Sequence, residues 1–196
     1  MGTARPAHDG AERQRGAVMS RAVLSIGSNL GDRLAHLRSV VDAFAPWLIR
    51  VSSVYSTAPW GGVPQQHYLN AVLLVDDPSA DARDWLLRGQ ELEQAAERVR
   101  EVRWGARTLD VDVVWCADRR SDGVRVCRST DPTLTLPHPQ AHNRAFVLTP
   151  WFEIEPEATL EVQGRPSPLR DLLDALDPAE REGVRLTELT LRRAEP

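Results

Sequence analysis

The sequence predicts a fold of the α/β (α+β) class. It reads as a ferredoxin-like βαββαβ antiparallel sheet with helices packed on it, plus extra C-terminal helices. Three observations lead there. Apolar alternation over residues 22–28, 51–56 and 67–75, and again from residue 109, has the period of strands. Two stripes have the period of helices: Leu34, Leu37, Val41, Phe44 and Leu48 after the first strand, and Trp85, Gly89, Leu92 and Ala96 after the third. Breaker-rich turns separate these segments.

Taken in order, residues 1–19 are polar, with Arg, Gly, Ala and Pro and no periodicity, and are expected to be a disordered tail. The domain is expected over residues 20–176, with 177–196 as an extension. The first strand ends in Gly27-Ser28-Asn29, a turn that is not a Gly-x-Gly-x-x-Gly fingerprint. Asp32 suits the N-cap of the first helix, and Pro46 should end or kink it. The second strand leads into the breaker-rich loop 57–64. On the third strand Tyr68 and Asn70 share a face. Ser79 or Asp81 should cap the second helix, which carries Gln90 and Glu93 near its end. Residues 118–131 read as a polar surface insertion with a short strand at 124–126. Residues 141–152 form an apolar helical stretch interrupted by Pro150, and 166–176 a last short helix. Beyond Asp177 the pattern fits either a strand over 184–191 or a loose tail.

The 196 residues suit one domain with a sizeable core. A formal charge of −4 argues against a nucleic-acid binder. All 24 basic residues are arginine, which excludes chemistry that needs a lysine, such as a P-loop or a Schiff base. Any phosphate clamp must use arginine, backbone amides and metal. Cys116 and Cys127 match no metal spacing and need not pair; the expected setting is the reducing cytoplasm. No apolar run reaches membrane length.

The most informative stretch runs from Arg103 to Trp115. Leu109, Val111, Val113 and Trp115 should form one strand face, and Asp110, Asp112 and Val114 the other. Two residues apart means about 6.6 Å of rise, so both carboxylates can lean over one pocket. Such a pair suits Mg²⁺, a hard ion that completes its shell with water and phosphate. Arg98, Arg100, Arg103 and Arg107 stand just upstream, forked donors suited to phosphate oxygens. An Asp-x-Asp on a strand is also what the wet face of any antiparallel sheet carries, and an arginine run is often a solvated surface. Periodicity alone does not separate these readings.

The stretch resembles the signature of the 6-hydroxymethyl-7,8-dihydropterin pyrophosphokinase family, Arg-Trp-Gly-Pro-Arg-Thr-Leu-Asp-(Leu/Val)-Asp, with Ala106 in place of proline. Ile26-Gly27-Ser28-Asn29-Leu30-Gly31, Tyr68-Leu69-Asn70-Ala71, Pro137-His138-Pro139 and Asn143-Arg144-Ala145-Phe146-Val147-Leu148 agree in family order. The resemblance covers about residues 21–160. It implies Mg²⁺-dependent transfer of pyrophosphate from ATP to 6-hydroxymethyl-7,8-dihydropterin in folate biosynthesis, with two ions per site. It further implies metal ligation by Asp110 and Asp112, and catalytic roles for Arg98, Arg103 and Asp112. Pterin contacts would come from Gly27, Thr57, Ala58, Trp60, Tyr68, Asn70 and Phe146. ATP contacts would come from Gln90, Glu93, Arg100, Trp104, Arg107, Val113, Thr135, His138 and Arg144. Thr133 stands where the family often has an arginine, and Trp60 where leucine is common. A cytoplasmic monomer acting on ATP and the pterin, with no nucleic-acid or membrane partner, is expected. Two rival readings use the same residues: a non-catalytic nucleotide or pterin sensor, and a palm-like nucleotidyltransferase.

Overall fold

The computed structural model describes residues 19–58, 66–96, 108–120 and 123–192. The first strand, β1 (Met19–Ser28), lies at the centre of the main sheet, between β4 (Tyr68–Asp77) and β5 (Asp110–Arg120), both antiparallel to it. β2 (Leu48–Val51) and β3 (Tyr55–Thr57) both pair with β4. The strand expected over 51–56 is therefore two strands. The break is at Ser52, whose N–H donates to the Val72 carbonyl while its hydroxyl accepts from the Val72 N–H, so the chain steps aside without losing its bonds to β4. With that pair counted as one, the order β5-β1-β4-β2/β3 is the split βαβ arrangement. β6 (Gly123–Val126) extends the sheet beside the far end of β5. It is the short strand expected within the insertion.

α1 (Arg33–Phe44) starts where Asp32 accepts the Ala35 N–H, and its regular turns stop before Pro46, which sits in a 3₁₀ turn. α2 (Ala82–Ala95) starts at Asp81, not Ser79. Asp81 and Asp84 form a reciprocal capping box, satisfying two donors that a helix start leaves open. Both helices pack on one face of the sheet over Leu24, Ile26, Leu73, Val111 and Val113, with Trp85 and Phe44 buried at the centre.

The opposite face of the sheet is covered over half its extent. α3 (Ala145–Ile154) continues through Pro150 and buries Val147, Leu148 and Trp151 against Val23, Val72, Leu74 and Val114. Glu153 anchors it by accepting from Ser53 N–H, Ser53 Oγ and Tyr55 Oη, the last at 3.1 Å. Burial and Glu153 together push the Tyr55 phenol up to about 12. β7 (Ser129–Asp131) and β8 (Leu134–Leu136) form a hairpin before α3. A second hairpin follows α3, β9 (Thr159–Val162) with β10 (Arg165–Pro168), turning at Gln163 and Gly164 with φ of 51° and 78°. The last helix expected from 166 thus begins later, as α4 (Leu169–Ala175).

The C-terminal segment is neither a single strand nor a loose tail. α5 (Pro178–Glu182) is capped by Asp177, β11 (Arg185–Leu186) pairs with β3, and Leu191 is buried in the first core. Within β5 a bulge shifts the register between Val23 and Leu24, opposite Val113 and Trp115. It corrects the expected face. Trp115 packs in the second core beside Trp151, and Cys116 takes its place in the first.

Candidate active site

The uncovered half of the second sheet face is polar. Antiparallel partners share a face, so the pairing of Asn70 with Gly27, and of Gly27 with Asp110, sets three strands' residues in one cross-strand row. Ser25 and Asp112 make the next row, and Val72 beside them begins the apolar floor under α3. The first row ends in Tyr55, and Thr57 pairs with Tyr68 on the same side. A change from apolar to polar residues along three strands thus fixes where α3 stops and the cleft begins.

Gly27 keeps the middle of that row open. A Cβ there would lie 3.0 Å from Asn70 Oδ1 and 3.9 Å from Tyr68 Cδ1. The absent side chain lets the Asn70 amide and the Tyr68 ring lean over β1. Asn70 is 4% exposed, and its Nδ2 donates to Thr57 Oγ1 at 2.9 Å. That bond orients the amide and leaves its oxygen toward Gly27. Ala58 is exposed at the rim.

Asp110 and Asp112 stand together on this face, as expected, both partly exposed. β5 is held there from behind. Gly89 of α2 lies so close that a Cβ would meet Val111 Cγ1 at 2.9 Å. Glu93, buried, accepts the Val111 N–H at 2.9 Å. Ser28 Oγ donates to the Thr108 carbonyl at the strand's entrance. The sequence marked Ser28 only as part of a turn, because this contact joins residues far apart in the chain.

The arginine side of the site is Arg144, at the start of α3. Its Nη1 is 3.8 Å from Asp112 Oδ2, and its guanidinium lies 5.7 Å from the Phe146 ring centre. His138 is tied to the same edge: its N–H donates to the Val114 carbonyl, and its Nδ1 accepts from the Gln140 N–H at 3.2 Å. Burial first, and the Arg144 charge second, push His138 down to about 4, against the opposing pull of Asp110. The imidazole is therefore neutral at neutral pH, with its proton on Nε2, since Nδ1 is the acceptor.

The other expected contacts divide by position. Gln90 and Glu93 are on α2, behind β5 and not on the carboxylate face. The Val113 side chain is buried in the first core, so what it can offer a ligand is backbone along the outer edge of β5. Thr135 lies on β8, where its hydroxyl donates to the Asp131 carbonyl. Thr133 is held in the turn by Asp131. Trp60, Arg98, Arg100, Arg103, Trp104, Ala106 and Arg107 lie outside the described residues.

Known proteins resemble this chain in sequence and in fold. The family model described as 7,8-dihydro-6-hydroxymethylpterin-pyrophosphokinase (HPPK) matches residues 23–156. The chain is 53% identical over 169 residues to the 2-amino-4-hydroxy-6-hydroxymethyldihydropteridine pyrophosphokinase of Mycobacterium bovis, covering 86% of this chain and 90% of that one. It is 37% identical over 170 residues to the protein of that name from Methylorubrum extorquens, covering 85% and 99%. Among solved structures, a Plasmodium falciparum HPPK-DHPS with pterin and p-hydrobenzoate superposes with a TM-score of 0.58 at 12% identity, over 88% of this chain and 48% of that one. The chain spans about half the length of that two-part protein, and the likeness is one of fold. On the family match and the relatives' identity, the chain belongs to the 7,8-dihydro-6-hydroxymethylpterin-pyrophosphokinase family.

Proposed function

We infer that this chain transfers pyrophosphate from ATP to the hydroxymethyl group of 6-hydroxymethyl-7,8-dihydropterin, releasing AMP, as a step of folate biosynthesis. The observation that carries the reading is the cross-strand row Asn70–Gly27–Asp110. Two strand spacings set its outer residues about 10 Å apart. A flat acceptor lying over Gly27 would meet Asn70 at one end and bring its hydroxymethyl arm to the carboxylates at the other. Asn70 Oδ1 is the acceptor for the ring's N–H edge; Tyr68 and Phe146 offer stacking faces, with Thr57 and Ala58 at the rim, and Trp60 is assigned to the same ring.

The donor set of Asp110 and Asp112 fits Mg²⁺: two hard oxygen ligands on one face, open to water and phosphate. With ATP present we assign two ions there. Bound, they would neutralise charge on the phosphates and orient them for attack. The chain's own groups do the rest. Arg144 adds positive charge beside Asp112, and neutral His138 donates from Nε2 toward a phosphate oxygen. Thr135 is assigned to the same phosphates. The adenine is assigned to the outer edge of β5, where the Val113 backbone supplies an adjacent donor and acceptor; Gln90 and Glu93 stand behind that edge. Arg98 and Arg103 are assigned to the transferred and leaving phosphates, with Arg100, Trp104 and Arg107 on the nucleotide. Asp112 is our candidate to take the hydroxyl proton.

No described helix is long and apolar enough to cross a membrane. We take the enzyme to be a cytoplasmic monomer. Incubating the protein with ATP, Mg²⁺ and the hydroxymethyl pterin tests the reading. AMP should appear only when the pterin is present, in amounts equal to pterin diphosphate. ADP in its place, or AMP without the pterin, would overturn it.

A further inference from the structure

At the far end of β5, on the face away from the cleft, two cysteines and a carboxylate come together. Cys116 and Asp118 are two apart on β5, and Cys127 follows β6 directly opposite, its N–H donating to the Cys116 carbonyl at 2.8 Å. Cys127 Sγ is 3.4 Å from Cys116 Sγ and 3.3 Å from Asp118 Oδ1. All three donor atoms lie within 4.8 Å of one another, and among the described residues no other such group of three occurs. The sequence hid this, because Cys116 and Cys127 are eleven residues apart with none of the usual ligand spacing.

We propose that Cys116, Cys127 and Asp118 form a second metal site, for a thiophilic divalent cation such as Zn²⁺, distinct from the Mg²⁺ chemistry of the cleft. A tetrahedral Zn²⁺ with bonds of about 2.3 Å to sulfur holds its two sulfurs about 3.8 Å apart. The resting spacing needs to open by only a few tenths of an ångström. Binding releases the two thiol protons, so affinity rises with pH. Ser20 Oγ lies 3.2 Å from Cys116 Sγ and accepts from Trp85 Nε1, so the buried ligand is oriented by a supporting bond.

A second observation points to a ligand. Asp118 and Cys127 open onto a cavity of about 290 Å³, which also has Asp81 and Asp131 in its wall and Arg83 as its one cation among the lining residues. Three carboxylates against one guanidinium give an entrance that favours a cation. The cavity has room for a water as the fourth ligand.

The test uses the full chain, freshly reduced and free of metal, in excess Mg²⁺ so that the hard-ion site is filled. Co²⁺ is the probe, because thiolate-to-Co²⁺ charge transfer reports sulfur ligation that Asp110 and Asp112 cannot give. One Co²⁺ per chain should bind with a charge-transfer band, and Zn²⁺ should displace it. Cys127→Ser should lose most of the band and Asp118→Asn should weaken binding; both should keep the far-UV spectrum and pyrophosphokinase turnover. No band in the wild-type chain, or an unchanged band in Cys127→Ser, overturns the site. A reduced chain that binds no Co²⁺ but oxidises to a Cys116–Cys127 disulfide overturns it as well.

Discussion

Gly27 contributes by having no side chain, and the consequence is measurable. In Gly27→Ala the new Cβ, 3.0 Å from Asn70 Oδ1, presses the amide aside by a few tenths of an ångström and should weaken its bond to Thr57. Loss of a hydrogen bond of roughly 0.5–1.5 kcal/mol corresponds to about 2- to 12-fold, so pterin binding should weaken by up to that factor, with ATP affinity unchanged. Titration calorimetry with each ligand separately checks this, and equal losses for both would mark Gly27 as structural. His138 makes the complementary case beside Arg144. Its pKa is depressed to about 4 in the fold, against an ordinary value of 6.5. Between those values the unfolded chain binds a proton that the fold does not, so stability is fully present above about 6.5 and is lost as pH falls toward 4. His138→Asn keeps an acceptor for the Gln140 N–H but does not titrate. The difference in denaturation midpoint between pH 7 and pH 4.5 should therefore be smaller in the variant. An equal pH dependence in the two proteins would contradict the depressed pKa.

Among elements, the contact of α2 with β5 holds the strand that carries Asp110 and Asp112. Gly89→Ala puts a methyl 2.9 Å from the branched Val111 side chain, which cannot swing aside as a long flexible one would. Overpacking of this kind costs about 1–3 kcal/mol, and moving β5 should also lower turnover. Val111→Ala removes the obstructing methyls, so the double variant should recover part of both losses. Additive losses in urea melts and kinetics would show that the two residues do not meet. Where the elements were legible, local chemistry decided. Asp32 and the Leu34–Leu37–Val41–Phe44 stripe specified α1, and Asp110 and Asp112 alternated onto one face because the bulge comes only after Val113. The remainder depended on partners distant in sequence. Ser52 breaks its strand because Val72 offers both bonding groups across the sheet. Pro150 stays helical because α3 is buried on the sheet, where packing outweighs propensity. Gln163 takes a positive φ at the first turn position, where Asn, Asp or Gly is usual, so Gly164 beside it is the hairpin's one sequence signal. Glu93 and Ser28 support β5 only once the helix and turn are beside it.

At the scale of the molecule, the C-terminal segment is part of the domain. Leu191 is 4% exposed in the first core, and the neighbouring Thr190 carbonyl accepts from Arg38. Leu191→Ala should cost about 2–5 kcal/mol in urea unfolding, where a loose tail would cost nothing measurable. The fold as a whole brings the Asn70–Gly27 row and a carboxylate pair onto one half-covered sheet face. That arrangement is most directly tested at Asp110 and Asp112. Asn keeps the shape of Asp without its charge, so each single variant should keep its melting temperature. Turnover should fall by about 10³, because metal stabilisation is worth several kcal/mol and each 1.36 kcal/mol is tenfold. The double variant should be little worse than either single one, since one shared site is disabled once. Steady-state AMP formation with Mg²⁺ titrated is the measurement. Losses of that size, partly relieved at high Mg²⁺, are the predicted result. Near-normal turnover in both single variants would contradict the account, leaving Asp110 and Asp112 as two solvated carboxylates on a sheet face.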